Sequence, residues 1–197
     1  DLTIFLDGAG SATITTGDAD NGSADACGID TRSLSQATFT CSDIGANNET
    51  LTVTDGEANT DSCITMVTVR DTIVPVAICQ DATVSLDATG NITLVSSDID
   101  NGSSDICGFS SFVISPSAFN CSTTGPNNVT MTVTDNDGNT ASCTAVATIN
   151  DDVPPGAFCM NATVQLDAAG NATITTATVD NGSSDACSGI ASYSLSN

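Results

Sequence analysis

Carboxylates and thiols are the side chains through which this sequence could do chemistry. The 197 residues include 24 Asp and Glu against two basic residues, Arg32 and Arg70, and no His, for a net charge of -22. Phosphate recognition needs clustered cations, so nucleic acid and anionic membrane surfaces are excluded as partners. Clustered carboxylate, amide and hydroxyl oxygens are instead the ligands that Ca²⁺ prefers. The composition therefore favours binding of a hard cation.

The most regular acidic cluster is an Asp-Asn-Gly-Ser-x-Asp loop that occurs three times, at intervals of 80 residues. Its oxygen-bearing side chains are spaced as in a calcium-binding loop, and we predict a Ca²⁺ site in each copy. The alternative is a polar turn in which Asp and Asn bond their own backbone and Gly supplies a positive φ. The predicted ligands are Asp20, Asn21, Ser23 and Asp25, then Asp100, Asn101, Ser103 and Asp105, and finally Asp180, Asn181, Ser183 and Asp185.

A second set of acidic residues lies at the joints between repeats. Asp71 precedes Pro75 in the first joint, and Asp151 and Asp152 occupy the next one. We predict that these residues also bind Ca²⁺, with Asp87 or Asp167 at a nearby hairpin tip as a further ligand. Calcium at this place would lock neighbouring repeats together.

The third acidic cluster comprises Asp135, Asp137 and Asn139 and looks like the start of an EF-hand loop. The twelfth position of such a loop would be Val146, which offers no ligand oxygen, and no helices flank the segment. A hairpin turn is the better prediction here.

A repeated β-fold must position these loops. Cys27, Cys107 and Cys187 mark a constant period of 80 residues. Alternation such as that of Val129 and Met131 with intervening threonines predicts half-buried strands, and no segment shows a sustained helical stripe. We predict an all-β fold of tandem Ig-like β-sandwich domains with an 80-residue period, stapled by disulfides.

The period also sets the expected domain boundaries. Residues 1–71 form a first Ig-like repeat that lacks its first strand, 72–151 a complete second repeat, and 152–197 the N-terminal part of a third. Proline at each joint stiffens the connection, which favours a semi-rigid stalk or filament.

Composition argues against disorder and for an oxidising environment. Hydrophobic residues make up 40% of the chain, which is enough to form a hydrophobic core in each repeat. Aromatic residues make up only 4%, so each core is small. Small cores need staples, which nine Cys residues supply. That density predicts an extracellular or cell-surface location. No stretch approaches the roughly 20 apolar residues of a membrane span.

The pattern resembles the hyalin-repeat (HYR) family and its relatives in giant surface proteins of Bacteroidetes-type bacteria. The resemblance rests on an opening Pro-x-x-x-Cys at Pro75–Cys79 and on the closing sequence TVTDNDGNTASC at Thr132–Cys143. It covers essentially the whole chain and implies an Ig-like fold with an extracellular adhesive role. The Cys-containing VDNGSSDAC-type segment departs from the shorter eukaryotic pattern.

Four Cys per repeat allow three connectivities, which sequence alone cannot choose between. Two schemes remain open. The first keeps the disulfides within a repeat, since domains generally complete their own cores, and the HYR resemblance implies its long-range pair. The second keeps the local pairs but links Cys63 to Cys79 and Cys143 to Cys159 across the joints. We favour the first, with the pairs Cys27–Cys41, Cys107–Cys121 and Cys79–Cys143.

The predicted function is a structural or adhesive extracellular repeat array, stabilised by Ca²⁺. Its expected partners are neighbouring repeats of the same polypeptide, with lateral or end-to-end self-association. Catalysis is disfavoured because the chain lacks His, Lys and Trp and spreads its carboxylates over many turns. The alternative is a set of non-catalytic modules that bind a ligand such as carbohydrate and accompany a secreted enzyme.

Overall fold

The computed structural model describes residues 1–196 as an all-β protein with two compact units. Unit 1 contains Asp1–Ile78, Asn101–Val113 and Thr132–Cys143, and unit 2 contains Cys79–Asp100, Ile114–Met131 and the chain from Thr144 onward. Three segments of the predicted second repeat, 72–78, 101–113 and 132–143, therefore belong to the same unit as the first repeat. The sequence-based boundaries after residues 71 and 151 stay a prediction.

Six strands form two sheets in the first repeat. The strands are β1 (Leu2–Phe5), β2 (Ser11–Thr13), β3 (Ile29–Leu34), β4 (Thr38–Thr40), β5 (Gly45–Asp55) and β6 (Thr60–Arg70). One sheet has the order β1-β6-β5-β3, with β1 parallel to β6 and the other pairs antiparallel. The other sheet pairs β2 with β4 in antiparallel fashion. This is the sandwich arrangement that the sequence predicts.

The first core follows from the alternation of apolar and polar residues. Val67 and Val69 on β6 are buried, whereas Arg70 is exposed. They join Leu6, Ile14 and Phe39 in one apolar cluster. Because successive side chains of a strand point to opposite faces, this alternation buries one face of the long sheet against the short one.

The second repeat has the same arrangement. Its strands are β7 (Ala82–Ser85), β8 (Asn91–Thr93), β9 (Phe109–Ser115), β10 (Ala118–Asn120), β11 (Gly125–Asp135) and β12 (Thr140–Asn150). The long sheet has the order β7-β12-β11-β9, and β10 pairs with β8. The two repeats thus share strand order and spacing, which confirms the predicted fold class.

Helices are limited to single turns in the described residues. They are α1 (Thr16–Ala19), α2 (Ser96–Ile99) and α3 (Thr176–Val179), with 3₁₀ turns at Cys41–Asp43 and Cys121–Thr123. The third repeat contributes α3 and two isolated bridges, Gly156 with Ser184 and Cys159 with Asp180. None of the helices in residues 1–196 has the length and apolar character that a membrane crossing requires.

Aspartates cap the corners where the chain passes from one sheet to the other. The carboxylate of Asp87 accepts hydrogen bonds from the backbone N–H groups of Thr89 at 2.8 Å and Asn91 at 3.1 Å, and from the Thr89 hydroxyl at 2.7 Å. Because β7 and β8 lie in different sheets, this turn is a corner rather than the expected hairpin. The hydrogen bonds from the Thr89 side chain and then from the Asn91 backbone hold the pKa of Asp87 below its ordinary value.

This capping predicts an acid-sensitive contribution to stability. A carboxyl group whose pKa is lower in the folded than in the unfolded protein stabilises fully above the unfolded pKa, and the stabilisation is lost as the pH falls through the folded pKa. The denaturant concentration at the unfolding midpoint should therefore decrease as the pH is lowered below about 4, where Asp side chains ordinarily titrate. This decrease at low pH should be smaller for Asp87→Asn than for wild type. If the midpoint of the variant decreases as much as that of wild type, the hydrogen bonds to Asp87 do not cause the loss of stability at low pH.

The disulfides link different repeats, so the predicted local pairs Cys27–Cys41 and Cys107–Cys121 are wrong. Cys41 bonds Cys107, and Cys121 bonds Cys187, each over a separation of 66 residues. Cys79 and Cys143 are also disulfide-bonded, and their pairing with each other stays a prediction. The cysteines with free thiols among the described residues are Cys27, Cys63 and Cys159. Their free state also contradicts the scheme that crosses the joints through Cys63 and Cys159.

Packing explains why the local pair does not form. The loop around Cys107 belongs to unit 1, where Cys107 and Cys41 both pack against the apolar cluster of the first repeat. Gly10 leaves the room for this approach, since a Cβ there would lie 3.0 Å from the Sγ of Cys41 and 3.0 Å from a side-chain carbon of Ile106. The Cys-bearing loop therefore completes the core of the repeat before its own.

Candidate metal centre

Three aspartates from distant parts of the sequence meet in unit 1. Asp71 directly follows β6, Asp105 lies in the loop before β9, and Asp135 is the last residue of β11. One carboxylate oxygen of each lies within 4.8 Å of the others. Two ligands held by one Ca²⁺ at about 2.4 Å cannot lie more than about 4.8 Å apart, so this spacing suits a shared ion.

The cluster is unusual because its carboxylates are buried. Asp71 is 2% exposed and Asp135 is 1% exposed, and Asp105 is half-buried. Aspartate is almost never fully buried unless it is paired or coordinates a metal. The nearby guanidinium of Arg70 pairs with Asp137 at 3.5 Å. Three like charges in a buried cluster call for a cation.

Asp135 is fixed by the turn between β11 and β12. Its Oδ1 accepts backbone N–H bonds from Asp137 at 2.9 Å, Gly138 at 2.7 Å and Asn139 at 2.8 Å. Its Oδ2 accepts a bond from the Asn139 side-chain amide at 2.7 Å. Gly138 adopts the positive φ of 96° that lets the turn wrap around the carboxylate.

Asp71 and Asp105 each use one oxygen and leave the other without a partner. The Oδ1 of Asp71 accepts from the N–H of Ile73 at 2.9 Å, and the Oδ1 of Asp105 accepts from the N–H of Cys107 at 2.8 Å. Both Oδ2 atoms are buried and have no hydrogen-bond partner. An unsatisfied buried carboxylate oxygen is costly, so these two atoms mark the positions that a metal ion would fill.

The same hairpin tip holds the backbone on which the other two aspartates sit. The side-chain amide of Asn139 donates to the carbonyl of Asp71 at 3.1 Å, and the carboxylate of Asp137 accepts from the N–H of Asp71 at 2.9 Å. The side-chain amide of Asn136 donates to the carbonyl of Cys107 at 2.9 Å. The turn between β11 and β12 thereby positions both the joint at Asp71 and the loop that contains Asp105 and Cys107.

The donor set fits calcium. Carboxylates are hard ligands, and the site contains no thiol or imidazole of the kind that would favour Zn²⁺ or Cu²⁺. Ca²⁺ accepts six to eight oxygens in flexible geometry, so three carboxylates with carbonyls and water could complete its shell. When bound, the ion would supply the positive charge that offsets the three carboxylates.

Each of the three acidic clusters in the sequence contributes one residue to the centre. Asp71 comes from the joint, Asp105 from the second Asp-Asn-Gly-Ser-x-Asp loop, and Asp135 from the hairpin. Sequence reasoning correctly placed Asp135 in a turn but missed its role in the cluster. A signal was present, because Asp135 occupies the next inward position after Met131 and Val133, which are both buried.

The other predicted ligands of the second loop hold the joint in place. The N–H of Asn101 donates to the carbonyl of Ile78 at 2.9 Å, and the hydroxyl of Ser103 accepts from the N–H of Ile78 at 3.0 Å. Asp100 forms an isolated bridge with Cys79. Calcium binding by Asp100, Asn101 and Ser103 as a set stays a prediction.

The first loop makes different contacts. Asp20 forms an ion pair with Arg32 at 3.0 Å and accepts from the N–H of Ser23 at 2.8 Å. Hydrogen bonds from the Ser23 side chain and backbone, followed by the charge of Arg32, lower the pKa of Asp20. Asp25 accepts from the N–H of Cys27 at 2.8 Å, and Asn21 is exposed.

The third loop repeats features of the second. Asp185 has a buried Oδ2 without a hydrogen-bond partner, as Asp105 does. The hydroxyl of Ser183 accepts from the N–H of Phe158 at 2.9 Å, and Asn181 donates its N–H to the carbonyl of Phe158 at 2.9 Å. The carboxylate of Asp180 accepts from the N–H of Ser183 at 3.1 Å.

The predicted ligands of the second joint also make hydrogen bonds. Asp151 accepts from the N–H of Val153 at 3.4 Å, and Asp152 accepts from the hydroxyl of Ser85 at 2.5 Å. The expected contributions of Asp87 and Asp167 to a joint site are not seen in the clustered carboxylates of the described residues. Both residues instead cap the turns in which they lie.

Comparison with known proteins gives distant structural matches. No family model and no curated protein matches the chain. The fibronectin(III)-like modules of CbhA from Clostridium thermocellum align with a TM-score of 0.29 and 12% identity, over 76% of this chain and 90% of that one. The protocadherin gammaB7 EC3-6 cis-dimer structure aligns at 0.33 and 17%, over 81% of this chain and 52% of that one.

A further match is to protocadherin gamma B2 extracellular cadherin domains 1–5, at a TM-score of 0.30 and 10% identity, over 84% of this chain and 41% of that one. The chain thus spans about half or less of these protocadherin structures. At such TM-scores the matches support no argument about function, which must come from the side chains of this chain.

Proposed function

We propose that this chain is part of an extracellular structural or adhesive repeat array, a semi-rigid stalk or filament whose successive repeats are fastened by Ca²⁺ and disulfides. The main observation in support of this proposal is the cluster of Asp71, from the end of the first repeat, with Asp105 and Asp135 from the second. A single ion bound there would hold the joint against the next repeat. The Cys41–Cys107 disulfide joins the same two repeats covalently.

Two other features support this role. Disulfides persist in oxidising compartments, which favours an extracellular location. The resemblance to the hyalin-repeat family has the same implication. Neighbouring repeats of one polypeptide are then the first partners of each module, and the array is not an enzyme.

Charge explains why calcium would stiffen the joint. Without a cation, three carboxylates within 4.8 Å repel one another, and Asp71 can relieve this repulsion by leaving the cluster with its segment. Bound Ca²⁺ reverses the sign of that interaction. Because the ion binds the folded arrangement, stabilisation follows mass action and reaches about 2.7 kcal/mol at 100 times the dissociation constant.

Thermal unfolding of wild type and Asp105→Asn in EDTA and in millimolar CaCl₂ tests this function. Calcium at 100 times its dissociation constant should raise the Tm of wild type by roughly 10 °C and should leave that of the variant nearly unchanged. In EDTA the variant should be at least as stable as wild type, since it removes one of three mutually repelling charges.

The matched control is Asp30→Asn, an exposed aspartate on β3 outside the cluster, which should respond to calcium as wild type does. NaCl at the ionic strength of the CaCl₂ buffer separates binding from screening. If NaCl reproduces the whole shift, or Asp105→Asn retains it, the cluster is not a calcium site.

A further inference from the structure

Cys107 lies where a disulfide meets the metal centre. Its sulfur is bonded to that of Cys41, and both residues pack against the apolar cluster of the first repeat. Asp105, a member of the metal cluster, lies two residues before Cys107 in the loop that leads to β9. The disulfide therefore attaches the loop that carries one calcium ligand to the core of unit 1.

The backbone of Cys107 connects two of the three carboxylates. Its N–H donates to the Oδ1 of Asp105 at 2.8 Å, and its carbonyl accepts from the side-chain amide of Asn136 at 2.9 Å. Asn136 directly follows Asp135 in the turn between β11 and β12. Cys107 is thus bonded to the Asp105 carboxylate itself and, through Asn136, to the turn that holds Asp135.

The hydrogen bond from Cys107 determines which oxygen of Asp105 is left for a cation. Because Oδ1 accepts the N–H of Cys107, the buried Oδ2 has no hydrogen-bond partner. Asp71 is in the same condition, since it is 2% exposed and its Oδ2 is also without a partner. One oxygen of each aspartate lies within 4.8 Å of the others. A displacement of Cys107 would therefore turn a calcium ligand away from the cluster.

The same arrangement of disulfide and aspartate recurs in unit 2. Cys187 is bonded to Cys121, and its N–H donates to the Oδ1 of Asp185 at 2.9 Å. The Oδ2 of Asp185 is buried and has no hydrogen-bond partner. In both units a cysteine held by a disulfide orients a carboxylate two residues before it and leaves one oxygen unsatisfied. The bonded cysteine and the orientation of the carboxylate therefore belong together.

We infer that the Cys41–Cys107 disulfide positions Asp105 for calcium, so that the calcium affinity of the centre depends on the redox state of these two cysteines. The inference rests on the proposed function, because it needs Ca²⁺ at the cluster. When the disulfide is broken, the loop gains conformational freedom, and calcium must order the loop again on binding. That entropic cost should lower the calcium affinity about tenfold.

The coupling is reciprocal, so bound calcium protects the disulfide from reduction. A dithiol reduces Cys41–Cys107 by breaking the sulfur–sulfur bond: two electrons and two protons pass to the two cysteines, and the dithiol becomes a cyclic disulfide. If the reduced protein binds calcium about tenfold more weakly, calcium that saturates both forms makes reduction less favourable by the same factor. For a two-electron reaction, a tenfold change lowers the reduction potential by about 30 mV.

Equilibrium reduction of the whole chain tests this coupling. The protein is incubated in mixtures of reduced and oxidised dithiothreitol with CaCl₂ or EDTA, its thiols are alkylated, and mass spectrometry measures the reduced fraction of each cysteine. Calcium should lower the potential of Cys41–Cys107 by about 30 mV. The potential of Cys121–Cys187 should stay unchanged, because no cluster of three carboxylates adjoins that bond within residues 1–196. In Asp71→Asn, calcium should leave both potentials unchanged.

Calorimetric titration of the oxidised proteins with CaCl₂ is the second measurement. Replacing Cys41 and Cys107 together with alanine should weaken calcium binding about tenfold. The matched control replaces Cys121 and Cys187 with alanine and should bind calcium as wild type does. Circular dichroism in EDTA verifies that both variants are folded. The reduction experiment uses the natural cysteines, so it tests the inference even if a variant does not fold.

The outcomes separate this inference from the proposed function. If wild type binds calcium but the Cys41–Cys107 potential does not change, the coupling is wrong and the function stands. The coupling is also wrong if calcium shifts both disulfides equally, or if it still shifts Cys41–Cys107 in Asp71→Asn, because the effect then does not pass through the metal centre. If wild type binds no calcium and its Tm does not respond, both proposals are overturned.

Discussion

Replacing Cys41 and Cys107 together with alanine is expected to lower the free energy of unfolding by about 4 kcal/mol. The bond closes a loop over a sequence separation of 66, and the entropy that such a loop removes from the unfolded chain corresponds to this value. The true change also includes the lost packing of two sulfurs against the apolar cluster of the first repeat. Denaturant unfolding of the oxidised proteins, followed by circular dichroism, measures the difference.

The control for this experiment is Cys27→Ala. Cys27 is exposed and free, so its replacement should change the unfolding free energy little. Peptide mapping without reduction should recover the pairs Cys41–Cys107 and Cys121–Cys187 from wild type. Recovery of a peptide in which Cys27 is joined to Cys41 would contradict the observed connectivity.

Replacing Asp135 with alanine is expected to destabilise the protein by about 3 kcal/mol or more, even in EDTA. The substitution leaves three backbone N–H groups and the side-chain amide of Asn139 without their acceptor. A buried donor without a partner costs about 1–3 kcal/mol, and a hydrogen bond to a charged group is worth more than one to a neutral group. The measurement is the urea unfolding free energy in EDTA.

The first repeat offers a matched variant, Asp55→Ala. Asp55 accepts the same kind of bonds, from the N–H groups of Glu57 at 2.9 Å and Asn59 at 2.8 Å and from the Asn59 side chain at 2.8 Å. Water can replace these bonds because the turn is exposed, so the loss should be clearly smaller than for Asp135→Ala. Equal losses would show that burial by the joint segment does not matter.

The period and the alternation of the sequence were sufficient to predict the fold. Apolar residues at every second position, as in Val67 and Val69, reveal which strand face is buried. The identical strand order of the two repeats follows from the constant spacing of their landmarks. This information is local to each strand, which is why the sequence expresses it directly.

Connectivity between repeats was not predictable in the same way. Cys107 is closer in sequence to Cys121 than to Cys41, and only the packing of its loop against the preceding repeat determines its partner. The metal centre was not predictable for the same reason. Asp71, Asp105 and Asp135 belong to separate acidic motifs, and their meeting depends on where the joint segment lies. Only the inward position of Asp135 could have been recognised beforehand.

The Cys41–Cys107 and Cys121–Cys187 disulfides also determine which parts of the backbone carry tension when the chain is pulled from its ends. Force that enters at the N-terminus passes from Cys41 to Cys107 through one sulfur–sulfur bond, and then from Cys121 to Cys187 through the other. Residues 42–106 and 122–186 lie outside this covalent path, and they contain both joints and all three aspartates of the metal centre. A stretched chain would therefore extend through residues 1–41, 107–121 and 187 onward, while its longest strands remain unloaded.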